Sequence, residues 1–284
     1  MSNKENKKLT TKWYVAIILI AFIILIAASY FILDNHIVGK VGAKLEETLD
    51  SENESVSENI DYDAEYTWLQ ENESLYPENK VEQAVGNKEL IHFLYRLGNG
   101  DYVNNQEIVM TDEELSGGIP LLMQWDDRWG FDTYGSNVIG ITGCGPTCLS
   151  MVILGLTGDT SATPRGIANW SEREGFYITG EGTNWNLLRN MLIQYGLYVY
   201  QYSADEQLLK DSLDAGRVAI LSMGQGHFTD IGHFIVVKAS EDGKLVVNDP
   251  NSIENSNTLW NYEDIASEIK SMWIIDTEDF GNNG

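Results

Sequence analysis

The chain has 284 residues, room for one or two domains. Its 43 acidic and 18 basic side chains give a formal net charge of -25, which disfavours nucleic acid and anionic membrane surfaces as partners. Two cysteines and four histidines are too few for a secreted disulfide scaffold, and their spacing does not suit a zinc site.

Residues 13–33 read WYVAIILIAFIILIAASYFIL, an uncharged run long enough to cross a bilayer as a helix. Lys4, Lys7, Lys8 and Lys12 precede it and Asp34 follows. The positive-inside bias leaves 1–12 as a cytoplasmic tail and puts the remainder outside. A cleaved signal peptide has a shorter apolar region and a small-x-small cleavage site, which this run lacks. The expectation is a single-pass anchor in the cell membrane.

Residues 34–79, rich in Glu, Asp, Asn and Ser, have little to bury and read as a solvated acidic spacer. In 80–116, Leu90, Phe93, Leu94 and Leu97 fall at helical spacing and Gly98 and Gly100 end the run. This segment reads as a helical lead-in packing on the next domain, with His92 in a surface or packing role.

Residues 117–276 form one globular stretch. CLSMVIL continues an apolar helix after Gly145-Pro146, and NWNLLRNMLIQYGL and DEQLLKDSLDAG are two more helices, ended by Gly196 and Gly216. VAILSM, HFIVVKAS and KLVVNDP are strands, the last two joined by a turn at EDGK. Helices first and a sheet afterwards imply an α+β domain. The tail, 277–284, is expected to be disordered.

Three residues could carry the chemistry. ITGCGPTCLSMV puts Cys144 in a Gly-rich turn opening a helix, with Pro146 suited to its first turn. A helix N-terminus favours a thiolate, and its free N–H groups can face an oxyanion. Taken alone, Cys144 is equally readable as a packing group; Cys148, one turn inward, reads as one. A redox pair would want C-x-x-C rather than C-x-x-x-C. His233 opens the strand HFIVVKAS and Asp249 closes the next one, so a hairpin could set them side by side. Nucleophile, base and orienting carboxylate would then come from separate elements. The Asp-Pro pair could equally be a turn.

GCGPTCLSMV, GHFIVV and VNDPNS, with QWDDRWG and GTNW, resemble the motif blocks of the papain-like peptidases related to the bacteriocin-processing, double-glycine group (peptidase family C39-like). The resemblance spans about 76–276. It implies a papain-like cysteine peptidase fold, with a helical part bearing the Cys and an antiparallel sheet bearing the His and Asp, here preceded by a single transmembrane helix. By the same resemblance Cys144 is the nucleophile, His233 the general base and acid, and Asp249 orients the imidazole. Gln124 is the counterpart of the oxyanion-hole amide, although this Gln usually lies nearer the Cys. His227 falls on a variable loop position, as rim or packing. Thr183 and Trp185 could line a groove, with Trp185 read as a core residue. Trp125, Asp126 and Trp129 fix their loop.

The expected activity is hydrolysis of a peptide bond in a peptide or protein, or in a cell-wall peptide, with no cofactor and no metal. The rivals are a cell-wall amidase or endopeptidase on a related fold, and a non-catalytic peptide-binding domain. No P-loop pattern occurs, unlike relatives fused to an export ATPase. Gly117-Gly118 after MTDEELS resembles a double-glycine leader end and raises self-release; a hinge or turn is the simpler reading.

Overall fold

A computed structural model describes residues 60–180 and 182–281. Tyr62–Gly284 forms one compact unit. Residues 1–12, expected to be a cytoplasmic tail, the apolar run 13–33 and the expected spacer up to residue 59 lie outside the described residues. Among the described residues no helix is long and apolar enough to cross a membrane.

The spacer ends earlier than its composition suggests. Tyr62–Glu71 is a helix, α1, packed on α2 (Lys88–Asn99). Acidic residues cover its outer side, but Tyr66, Trp68 and Leu69 face inward with Tyr76, Val81 and Ala84. Charge density masked this apolar side, because an amphipathic helix needs only a few apolar residues at the right phase. Asn87 caps α2, its side chain accepting the Leu90 N–H at 3.0 Å, and Gly100 closes it in the left-handed region at φ 72°. Gly98 lies inside the helix rather than ending it. Leu69 is fully buried. Leu69→Ala is therefore expected to lower unfolding stability by about 2–4 kcal/mol in urea denaturation, where a solvated spacer would give under ~0.5.

The lead-in core is continuous with the domain. Phe93 stacks on Phe131 at 4.5 Å between ring centroids, and Tyr102 stacks on Phe131 at 4.6 Å. A side chain at Gly140 would collide with the Phe93 ring, so that glycine is what lets α2 settle against the turn leading to Cys144.

The domain's sheet has six antiparallel strands. They are β1 (Tyr198–Tyr202), β2 (Val218–Met223), β3 (His233–Glu241), β4 (Lys244–Asn248), β5 (Leu259–Trp260) and β6 (Ile269–Asp276). Their order across the sheet is β1-β6-β2-β3-β4-β5. Side chains alternate between faces. Val218, Ile220, Phe234, Val236 and Trp273 point to one core, with α3 (Cys144–Thr157) and α5 (Asn186–Gln194). Ala219, Leu221, Ile235, Val237 and Met272 point to the other, with α6 (Glu206–Asp214). With both faces covered, β2 is buried throughout, which explains the unbroken apolar run VAILSM. Between α3 and α5 lies α4 (Pro164–Arg173), capped by Thr163. The β3–β4 turn uses Asp242 at φ 50° and Gly243 at φ 77°, the positive pair a tight hairpin needs.

The tail is not free as far as residue 281. Phe280 packs on Tyr200 and lies under the Arg217 guanidinium, and the Tyr200 hydroxyl donates to Asp279 at 2.6 Å. One aromatic ring offsets the polarity of its neighbours. Gly117 and Gly118 are exposed at φ 106° and 76°, as a turn requires.

Candidate active site

Cys144 is the first residue of α3, half-buried, and preceded by Gly143, whose position offers no side-chain cap. The N–H groups of the first turn are thus left for another acceptor. Gly145 is constrained by its neighbour: a Cβ there would come within 2.7 Å of the Thr183 methyl carbon. The GTNW segment therefore sits directly against the turn that carries Cys144. The Thr183 hydroxyl is held by Tyr134 at 2.9 Å, which also bonds Ser171.

His233 begins β3 and pairs in register with Met223 on β2. Asp249 follows the last residue of β4, and Asn248 pairs with Val236. The hairpin brings the two side chains together, with His233 Nε2 at 2.7 Å from Asp249 Oδ1. Asp249 is 1% exposed and fully engaged. Its Oδ1 also accepts the Asn251 N–H at 2.8 Å, and its Oδ2 accepts Asn255 Nδ2 at 2.8 Å. With Nε2 committed to Asp249, Nδ1 is the ring nitrogen available to Cys144.

The electrostatics follow from that arrangement. Burial opposes the charged imidazole, but the Asp249 charge and hydrogen bond, with the bond and charge of Cys144, push His233 up to about 10. Burial opposes the Cys144 thiolate too. The hydrogen bond and charge of His233 and the N–H groups of Phe234 and Gly145 nonetheless bring the thiol below its ordinary value. Each group thus favours the charged form of the other, thiolate beside imidazolium. Cys148 differs: burial raises its thiol well above the ordinary value, and its S–H donates to the Phe234 carbonyl at 3.3 Å. It is a packing residue.

Gln124 is 2% exposed and lines the same cleft as Cys144, His233 and Asp249. Its backbone N–H donates to the Pro250 carbonyl at 2.7 Å, tying it to the Asp249 loop. Its Nε2 donates to the Gly140 carbonyl at 3.0 Å, which leaves the second amide hydrogen uncommitted. The Oε1 has no partner among the described residues. The structure thus brings together all four residues singled out in the sequence.

The cleft is about 730 Å³, within the range of ligand sites. Trp185 is 42% exposed and lines it, so the reading of Trp185 as a core residue is corrected. Its ring meets the buried Trp273 edge-on at 5.4 Å, and that support lets the rest of the indole stay at the surface. His227 lies at the rim, paired through Nδ1 with Glu268 and against Trp260. His92 is remote in role, its Nδ1 on Glu65 at 2.9 Å. Trp129 is fully buried and donates to the Met123 carbonyl at 2.9 Å, and Asp126 binds Arg128. Both fix their loop.

Two parts of the cleft escaped the sequence, the support of Asp249 and the wall from the lead-in. Asn255 holds the second oxygen of Asp249, and the only hint was a polar turn after Asp-Pro. Lys80 and Gln83, with Pro77, line the cleft from the lead-in, and nothing in their spacing announced it.

Residues 117–278, more than half of the chain, match the model of the Peptidase_C39 like family. The chain belongs to that family. Similar solved structures include the peptidase domain of Streptococcus ComA, a bi-functional ABC transporter involved in a quorum-sensing pathway. It shares 21% identity over 48% of this chain and 93% of that chain, with a TM-score of 0.38. A double glycine motif protease from an AMS/PCAT transporter, in complex with the leader peptide, shares 17% over 56% and 93%, with a TM-score of 0.37. A C39-like peptidase from Bacillus anthracis shares 13% over 57% and 96%, with a TM-score of 0.38. No curated protein matches the chain. The C39-like segment contains Gln124, Cys144, His233 and Asp249 but stops short of the lead-in wall of the cleft.

Proposed function

We propose that this C39-like chain is a thiol-dependent peptidase that cleaves a peptide bond through a thioester acyl-enzyme. One observation carries the reading: Asp249 takes Nε2 of His233, which leaves Nδ1 for a Cys144 held at a helix N-terminus in the same cleft.

The Cys144 thiolate attacks the scissile carbonyl carbon. The developing oxyanion is met by N–H groups at the start of α3 and by the free amide hydrogen of Gln124. His233 gives its Nδ1 proton to the leaving amine as the C–N bond breaks, and the thioester remains on Cys144. Neutral His233 then takes a proton from water, whose oxygen attacks the thioester. The carboxylic acid product departs, and thiolate and imidazolium are restored. Asp249 keeps the ring oriented and its charged form stable throughout.

The proposal includes the setting. Residues 13–33 anchor the chain, 1–12 stay in the cytoplasm, and the peptidase domain stands outside at the end of the acidic stretch. An extracellular peptide is the substrate class that fits this placement. The test is mass-spectrometric identification of products from a peptide library and from muropeptides, using full-length protein in carbonate-washed membranes. New amino termini from the library are expected. Cleavage of muropeptides alone would favour a cell-wall endopeptidase, products from neither would sink the reading, and loss of the chain in the wash would sink the anchor.

A further inference from the structure

The lead-in delivers a lysine to the catalytic cleft. Between the short turns Glu73–Leu75 and Glu82–Ala84 the chain passes through Asn79 at φ 62°. This left-handed conformation is one that Asn tolerates better than most residues. Lys80 follows, 6% exposed, flanked by the buried Val81 and lining the cleft with Cys144, His233 and Asp249. Among the described residues no carboxylate lies within ion-pairing distance of its ammonium.

A buried cation without a counter-ion is costly. In its reactive form the catalytic centre holds two anions, Cys144 and Asp249, and one cation, His233. Asp249 is already saturated by His233, Asn251 and Asn255. Burial lowers Lys80 and the charges of Cys144 and Asp249 offset only part of that, the balance lying at about 8. It therefore carries most of its charge at neutral pH. The other charged groups of the cleft are Glu78 and Glu89 on the lead-in side and His227, Asp230 and Glu254 elsewhere on its lining. These carboxylates disfavour an acidic substrate as the partner of Lys80.

We propose that Lys80 is a positioning residue for the nucleophile: its ammonium is the second positive charge of the catalytic centre and holds Cys144 as the thiolate beside the Asp249 carboxylate. The proposal rests on the peptidase reading, and it makes the lead-in a working half of the site although it lies outside the 117–278 family segment.

The test is the pH dependence of Cys144 alkylation by iodoacetamide, a neutral reagent, in the full-length chain, with the modified residue identified by mass spectrometry. Lys80→Met and Lys80→Gln are expected to move the rise in rate upward by roughly one pH unit. Lys80→Arg is expected to keep the wild-type profile. Methionine replaces a buried charge by an apolar chain of similar length, so folding is expected to survive; glutamine is the second neutral variant. A neutral variant that folds and matches the wild-type profile would overturn the proposal. So would unchanged alkylation with a raised KM only for substrates bearing a carboxylate, which would make Lys80 a substrate receptor. Alkylation of Cys144 in a wild type that cleaves no peptide would fail the peptidase reading and leave the role of Lys80 standing.

Discussion

A Cys144→Ala chain is expected to lose at least about 10⁴-fold in kcat for peptide hydrolysis, with its melting curve little changed. The loss follows from the proposed mechanism: without the sulfur no acyl-enzyme forms, and the cleft can only bind substrate and polarise its carbonyl. Cys148→Ala supplies the contrast. The two thiols are four residues apart on one helix, yet only Cys144 has an imidazole, a helix N-terminus and access to the cleft. Cys148 is sealed in the core against the Phe234 carbonyl. Removing its sulfur is expected to cost about 1 kcal/mol of stability and to leave the alkylation of Cys144 intact. Kinetics of the two variants on one peptide, with probe labelling, would separate the roles. Hydrolysis that survives in Cys144→Ala and falls in Cys148→Ala would reverse the assignment.

The grouping of Cys144, His233 and Asp249 was legible because each member sits at an element boundary that the sequence punctuates. Gly143 and Pro146 bracket the start of α3, His233 opens an apolar run, and Asp249 closes the next run after an EDGK turn. The helices ended by Gly196 and Gly216 were legible for the same reason, since both glycines adopt positive φ. Other parts depend on contacts that no local pattern encodes. Strand β6 lies between β1 and β2, far from both in sequence, so its place is set by pairing rather than by a neighbouring turn. Helix α1 hides three inward residues in an acidic stretch, and its burial exists only because α2 offers Leu90 and Leu94. Trp185 is held at the surface by Trp273, eighty-eight positions on. Lys80 reaches the site because a lead-in core carries it there.

Asp249→Ala is expected to reduce kcat/KM by roughly 10²–10⁴-fold near neutral pH and to move the alkaline limit of activity downward. On the proposed mechanism, activity in the wild type needs the thiolate and the imidazolium together. It should fall at low pH as Cys144 is protonated, at a value below the ordinary thiol range, and at high pH as His233 deprotonates near about 10. Burial is the largest influence on His233 and by itself favours the neutral ring. Asp249 is the main opposing force, through its charge and the 2.7 Å bond to Nε2. Removing the carboxylate therefore lowers the folded-state value of His233, and the ion pair with Cys144 is lost at a lower pH. It also frees the ring to rotate and strands Asn255 and the Asn251 N–H, so part of the loss is orientation. Asp249→Asn separates the two contributions, since its amide oxygen can still accept from Nε2 but carries no charge. Its activity is expected between those of the wild type and the alanine variant, with the alkaline limit still displaced. An unchanged alkaline limit in both variants would show that Asp249 only shapes the loop, and the charge that holds the imidazolium would then have to come from Cys144 alone.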